Sequence, residues 1–119
     1  MTPGDLLSYG WRVARKHGPP IHLIHFVTAR CNLRCAHCFY WQALDADHRH
    51  ELTLEEIDQT ARSLPRLLLL SLTGGEPFVR KDLGEICASY IRHCRPHILT
   101  ISTNGAYPER MESIIPPLL

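Results

Sequence analysis

Cys31, Cys35 and Cys38 stand as C-x3-C-x2-C in the run Ala29-Arg30-Cys31-Asn32-Leu33-Arg34-Cys35-Ala36-His37-Cys38-Phe39-Tyr40. Three thiolates within eight residues can ligate one polynuclear iron–sulfur cluster. Clusters of the electron-transfer kind are usually closed by four cysteines. A loop with three leaves one iron with an open position, where a substrate or cofactor can bind, so the cluster becomes a candidate catalyst. The competing use of the same residues is a structural zinc site, with His37 or a loop histidine as fourth ligand. Zinc sites usually pair two cysteine knuckles, and only one cysteine group is seen here.

Two further polar stretches stand out, Thr73-Gly74-Gly75-Glu76-Pro77 and Ser102-Thr103-Asn104-Gly105. Alone, each reads as an ordinary turn. Their weight comes from the elements before them. Ile21 to Thr28 is a β-rich run that ends at the cysteine loop. Leu67 to Leu72 is apolar but for Ser71 and is read as a parallel strand covered on both faces, ending at the Gly-Gly-Glu-Pro. His97 to Ser102 is a third strand-like run, ending at Thr103-Asn104-Gly105.

Helical patterns separate these runs. Residues 5–17 predict a leading helix, stopped by Gly18-Pro19-Pro20. Thr53 with Glu56 forms a capping box, followed by Leu54, Ile57, Ala61 and Leu64 at helical spacing up to Pro65. Asp82, with Glu85 three residues later, predicts the cap of the next helix. Leu83, Ile86, Cys87, Tyr90, Ile91 and Cys94 share its buried face, and Pro96 breaks it. Pro108 opens a last helix that Pro116-Pro117 end. Cys87 and Cys94 read as small buried hydrophobes.

The order α-β-α-β-α-β-α predicts an α/β fold with a parallel sheet. The C-terminal strand ends of such a sheet lie along one edge, where ligands bind. The three unusual stretches follow the three strands, so they are expected on one face. Residues 1–20 are read as a helix and lead-in, and 21–119 as the main domain, with no linker between further domains.

At 119 residues the chain is long enough for one modest core, and 45% hydrophobic residues exclude wholesale disorder. A net charge of +1 gives no electrostatic reason to expect nucleic acid or an anionic membrane. No apolar run approaches the roughly 20 residues that span a bilayer. The start lacks the basic and apolar regions of a secretory signal. Five cysteines, three of them clustered, suit metal binding in a reducing compartment better than a disulfide framework, so a cytoplasmic protein is expected.

With these three motifs in this order, roughly residues 20–106 resemble the radical S-adenosylmethionine (SAM) superfamily. The resemblance implies that Cys31, Cys35 and Cys38 ligate three irons of a 4Fe–4S cluster. The open iron would chelate the amino nitrogen and carboxylate of SAM. Reductive cleavage would then give methionine and a 5′-deoxyadenosyl radical that abstracts hydrogen from a substrate. Gly74 and Gly75 would let the backbone approach the methionine amino group, and Glu76 would balance the cationic end of SAM. Ser102 and Asn104 would offer hydrogen bonds to its ribose or carboxylate. His37 occupies the position whose backbone faces adenine, and Phe39 and Tyr40 would pack against the cluster. A flavodoxin or ferredoxin would be the electron donor.

The family's domain is usually a partial barrel of six β/α units, and this chain supplies about three. It reads as the N-terminal half of that core, a fragment or a split subunit. The edge after the third strand then predicts self-association or a partner chain. The alternative from another class is a non-catalytic iron–sulfur or zinc module acting in electron transfer or within a split enzyme. Among the remaining residues, Trp11 and Trp41 are expected as packing anchors, and His22 and His25 as satisfied core or barrel-end groups. Asp45, Asp47, His48 and His50 read as a solvated loop.

Overall fold

Three short runs rich in β-branched and aliphatic residues pair into one parallel sheet. They are β1 (His22–Thr28), β2 (Leu69–Gly74) and β3 (Ile98–Ile101), in the spatial order β1-β2-β3. His22 pairs with Leu69, and Leu69 with Ile98. Parallel neighbours need a crossover connection. Helices α2 (Leu54–Ser63) and α3 (Leu83–Cys94) supply the two crossovers, α1 (Pro3–Ala14) precedes the sheet and α4 (Pro108–Ile114) follows it. The protein is described here by a computed structural model covering residues 2–15, 18–44 and 51–118. The loop residues Asp45, Asp47, His48 and His50 lie outside the described set.

Strand alternation decides where the core sits. Val27, Leu70 and Leu72 point toward the helices and are buried with Ile57, Ala61, Ile86 and Tyr90. Cys87 and Cys94 are fully buried there, and burial pushes the Cys87 thiol up to about 11, as expected of packing residues. The other face carries Ile24, Phe26 and Ile98, all exposed. Leu69 and Ser71 are only half-buried, so the apolar run of β2 is covered on one face and not on two.

Several element ends differ from the sequence reading, each for a local reason. Helix α1 starts earlier because Thr2 and Asp5 form a capping box, with the Asp5 carboxylate accepting from the Thr2 N–H at 2.8 Å. Leu67 and Leu68 lie outside β2, their N–H groups donating to Cys94 and Ile21 carbonyls. Asp82 occupies the N-cap position of α3 but makes no side-chain cap bond. Its carboxylate is taken by Arg80 Nε at 2.8 Å. Pro116 does not end the chain's helical structure in a loop but opens a 3-10 turn, Pro116–Leu118.

Helix α1 docks through polar groups. Asp5 pairs with Arg66 at 2.9 Å, and the Tyr9 hydroxyl donates to the Leu67 carbonyl at 3.1 Å. Arg12 donates to the Arg66 carbonyl at 2.8 Å and also to that of Pro20. Leu6, Leu7, Trp11 and Val13 point outward. Trp11 is therefore not a packing anchor: it is exposed and Arg15 stacks over it. Trp41 is exposed as well, at the start of a 3-10 turn after the cysteine loop. His25 is a satisfied core histidine, its Nδ1 3.0 Å from the Tyr90 hydroxyl. Burial and the Arg80 charge hold its pKa below the usual imidazole value.

Candidate functional site

The three strands end together, and the three polar stretches continue from them along one edge of the sheet. The cysteine loop starts three residues past β1. Within it the Cys38 N–H donates to the Cys35 carbonyl at 3.1 Å. That turn keeps the ends of the C-x2-C segment close. Its central residues are Ala36 and His37, and His37 is exposed there. The next hydrogen bond, Trp41 N–H to the Cys38 carbonyl at 3.3 Å, folds the chain back again. All five cysteines are free thiols, with Cys35 exposed and Cys31 and Cys38 half-buried.

The root of this loop is fixed by the second tip. Gly75 N–H donates to the Thr28 carbonyl and Glu76 N–H to the Arg30 carbonyl, both at 2.8 Å. The two glycines permit that approach. A Cβ at Gly74 would lie 2.2 Å from the Thr28 oxygen, and Gly74 also has φ +127°. A Cβ at Gly75 would lie 2.2 Å from the Arg30 oxygen. In this chain the missing side chains thus let the β2 tip lie against the start of the cysteine loop.

Glu76 joins the second tip to the third. Its side chain is fully buried. Oε1 accepts from Phe78 N–H at 3.0 Å and from the Thr103 hydroxyl at 2.9 Å, while Oε2 accepts from Asn104 N–H at 2.7 Å. Asn104 closes the circuit, its Nδ2 donating to Asn32 Oδ1 at 2.9 Å. Ser102 is exposed at the end of β3, its N–H donating to the Leu72 carbonyl at 3.0 Å. On the open face of the sheet Phe26 meets Tyr40 with ring centroids 5.4 Å apart, and Phe39 lies beyond Tyr40, largely exposed. The predicted site residues thus lie on the loops that follow the three strands, with Glu76 bonded to Asn104 and Cys38 to Cys35, while Gly75 and Ser102 bond to Thr28 and Leu72 instead and His37 and Phe39 stand exposed.

Two clamps escaped the sequence reading. Glu51 accepts from the Thr28 hydroxyl at 2.5 Å and pairs with Arg30 at 3.2 Å. Burial pushes its carboxyl up, but hydrogen bonds from Thr28, Arg30 and Ala29 and the Arg30 charge outweigh that and hold it below the usual range. Arg80, nearly fully buried, donates to the Val27 carbonyl at 2.7 Å and the Leu52 carbonyl at 2.6 Å. The β1–β2 register shifts between Phe26 and Thr28. Arg80 thereby satisfies a carbonyl at the irregularity, as a buried backbone group requires. No spacing pattern links Glu51 or Arg80 to the cysteines, so only proximity in space could reveal them.

The donor chemistry of this loop fits an iron–sulfur cluster. Three unpaired thiols share one loop, and the Cys31 sulfur accepts from Leu33 N–H at 3.4 Å, a contact that also suits a thiolate. Among the described residues no three His, Cys, Asp or Glu side chains group as ligands of one metal ion. Thiolates of a cluster each reach a different iron, so they need not meet at one point.

Sequence comparison agrees with fold and loop. The family model of the radical SAM superfamily matches residues 26–116, and this chain belongs to that superfamily. Fe-coproporphyrin III synthase of Methanosarcina barkeri is 41% identical over 92% of this chain and 29% of its own length. GTP 3′,8-cyclase of Caulobacter vibrioides is 40% identical over 73% of this chain and 26% of its own length. Pre-heme d1 synthase of Dinoroseobacter shibae is 36% identical over 79% and 23% respectively. The chain thus spans under a third of the length of these curated relatives. No helix among the described residues is long and apolar enough to cross a membrane.

Proposed function

We propose that this chain binds a 4Fe–4S cluster through Cys31, Cys35 and Cys38, and SAM at the iron they leave open, for radical chemistry in the complete protein or assembly. The observation that carries this reading is the hydrogen-bonded joining of the cysteine loop to the tips of β2 and β3. When bound, the reduced cluster and SAM supply a one-electron cleavage giving methionine and a hydrogen-abstracting 5′-deoxyadenosyl radical. The chain's own residues hold and shield that site. The Gly74-Gly75 tip, Ser102 and Asn104 flank the cysteine loop, and the buried Glu76, its oxygens taken by Phe78, Thr103 and Asn104, holds the two tips in place and not the cationic end of SAM. His37 and Phe39 are exposed on the loop and would be the residues to meet SAM's adenine and the cluster.

The names of the three relatives point to different products, yet each is similar to this chain over about three quarters of it or more. That supports assigning the shared chemistry to this chain and substrate choice to residues elsewhere. A flavodoxin- or ferredoxin-like protein supplies the electron, and a second chain or copy covers the open edge of β3.

The test is anaerobic iron and sulfide reconstitution, followed by electron paramagnetic resonance of the reduced protein with and without SAM. A reduced-cluster signal that shifts on adding SAM, with formation of 5′-deoxyadenosine, is the expected result. A cluster indifferent to SAM removes the SAM half of the proposal, and zinc uptake with no cluster overturns it.

A further inference from the structure

The Asn104 carboxamide is fixed at both ends. Oδ1 accepts from the Ala106 N–H at 2.9 Å, and Nδ2 donates to Asn32 Oδ1 at 2.9 Å. These partners settle which end is oxygen, because a backbone N–H can only meet an acceptor. The amide nitrogen therefore faces the cysteine loop. It has two hydrogens, and Asn32 takes one. The same nitrogen lies 4.0 Å from Cys31 Sγ. Behind it, the Asn104 N–H is held by the buried Glu76 carboxylate, so the whole residue is anchored to the second strand tip.

A donor beside a cluster sulfur stabilises the more negative, reduced state, and hydrogen bonds to the sulfurs are among the factors that set cluster potentials. We propose that Asn104 is a positioning residue for the cluster, holding the first cysteine of the loop through Asn32 and raising the reduction potential by N–H···S donation to Cys31. This rests on the cluster reading above and goes beyond a contact to SAM. It gives the third tip a task that is independent of SAM.

The experiment compares the wild-type chain with Asn104→Leu, Asn104→Asp and Asn32→Ala. Each is reconstituted anaerobically, assayed for iron and sulfide per chain, and titrated electrochemically with paramagnetic resonance detection. All four should load, since the three cysteines are intact. Both Asn104 variants should show a more negative midpoint potential, with Asn104→Asp lowest because it adds a negative charge. Asn32→Ala should mainly hasten cluster loss to a chelator. An unchanged potential in loaded Asn104 variants overturns the proposal and leaves the cluster reading standing. A wild-type chain that takes no cluster overturns both. Should Asn104→Leu fail to fold by circular dichroism, the smaller Asn104→Ala decides, because it also removes the amide donor without adding a charge.

Discussion

A methyl group on Gly75 would sit 2.2 Å from the Arg30 carbonyl oxygen, which belongs to the backbone and cannot rotate aside. Gly75→Ala must therefore part the β2 tip from the root of the cysteine loop. Overpacking of this kind costs about 1–3 kcal/mol, so the urea midpoint should fall and iron uptake should weaken with it. The cysteines divide just as sharply. Cys35 is exposed on the loop and Cys87 is buried in the core. Cys35→Ala should abolish cluster incorporation, while Cys87→Ala should load iron as the wild type does. Loss of iron from the Cys87 variant would show the ligands to be misassigned. The glycines were legible as a turn, but their reason was not: the atoms they make room for, the Thr28 and Arg30 carbonyls, lie more than forty residues away in sequence.

At the scale of elements, α2 and α3 are tied by one carboxylate. Asp58 Oδ1 accepts from the Ser89 hydroxyl at 2.7 Å and lies 3.2 Å from His93 Nε2, while Oδ2 accepts from Arg62 Nε at 2.7 Å. The Ser89 bond, then the Arg62 bond and charge, hold its pKa down to about 2. A folded pKa below the unfolded value of 3.8 gives stability that is present above that value and lost as pH falls through about 2. Acid unfolding monitored between these limits should accordingly be shallower in Asp58→Asn, whose side chain does not titrate. An unaltered acid limb would assign that stability to the other depressed carboxylates, among them Asp5 and Glu56. The helices themselves were readable from the sequence, down to the Thr53–Glu56 capping box. Their mutual tie was not, because Asp58, Ser89 and His93 belong to different periodic patterns.

For the whole molecule, the outer edge of β3 decides behaviour in solution. Beside it lies an apolar groove of about 470 Å³, lined in part by Leu99, Ile101, Met111 and Leu118. Ile98 on the strand is exposed, as are Ile24 and Phe26 on the open sheet face. An unpaired edge next to apolar surface is a template for another strand. Sedimentation of the isolated chain should reveal self-association that grows with concentration. A stable monomer at every concentration would refute this. The outward-facing Leu6, Leu7, Trp11 and Val13 of α1 add to the apolar surface available.

The sequence by itself determined the alternation of helix and strand, the buried faces of α2 and α3, and the three stretches that meet at one edge. Each of these follows from local periodicity, capping and the rule that parallel strands end together. Only the tertiary structure decided that Glu76 is a buried clamp, that Glu51 and Arg80 hold the end of β1, and that Asn104 turns its amide toward Cys31. It also decided that one sheet face stays open and that α1 faces outward with its apolar side. Those outcomes depend on which distant groups compete for each hydrogen bond and each buried position. A chain read residue by residue contains the competitors but not the distances between them.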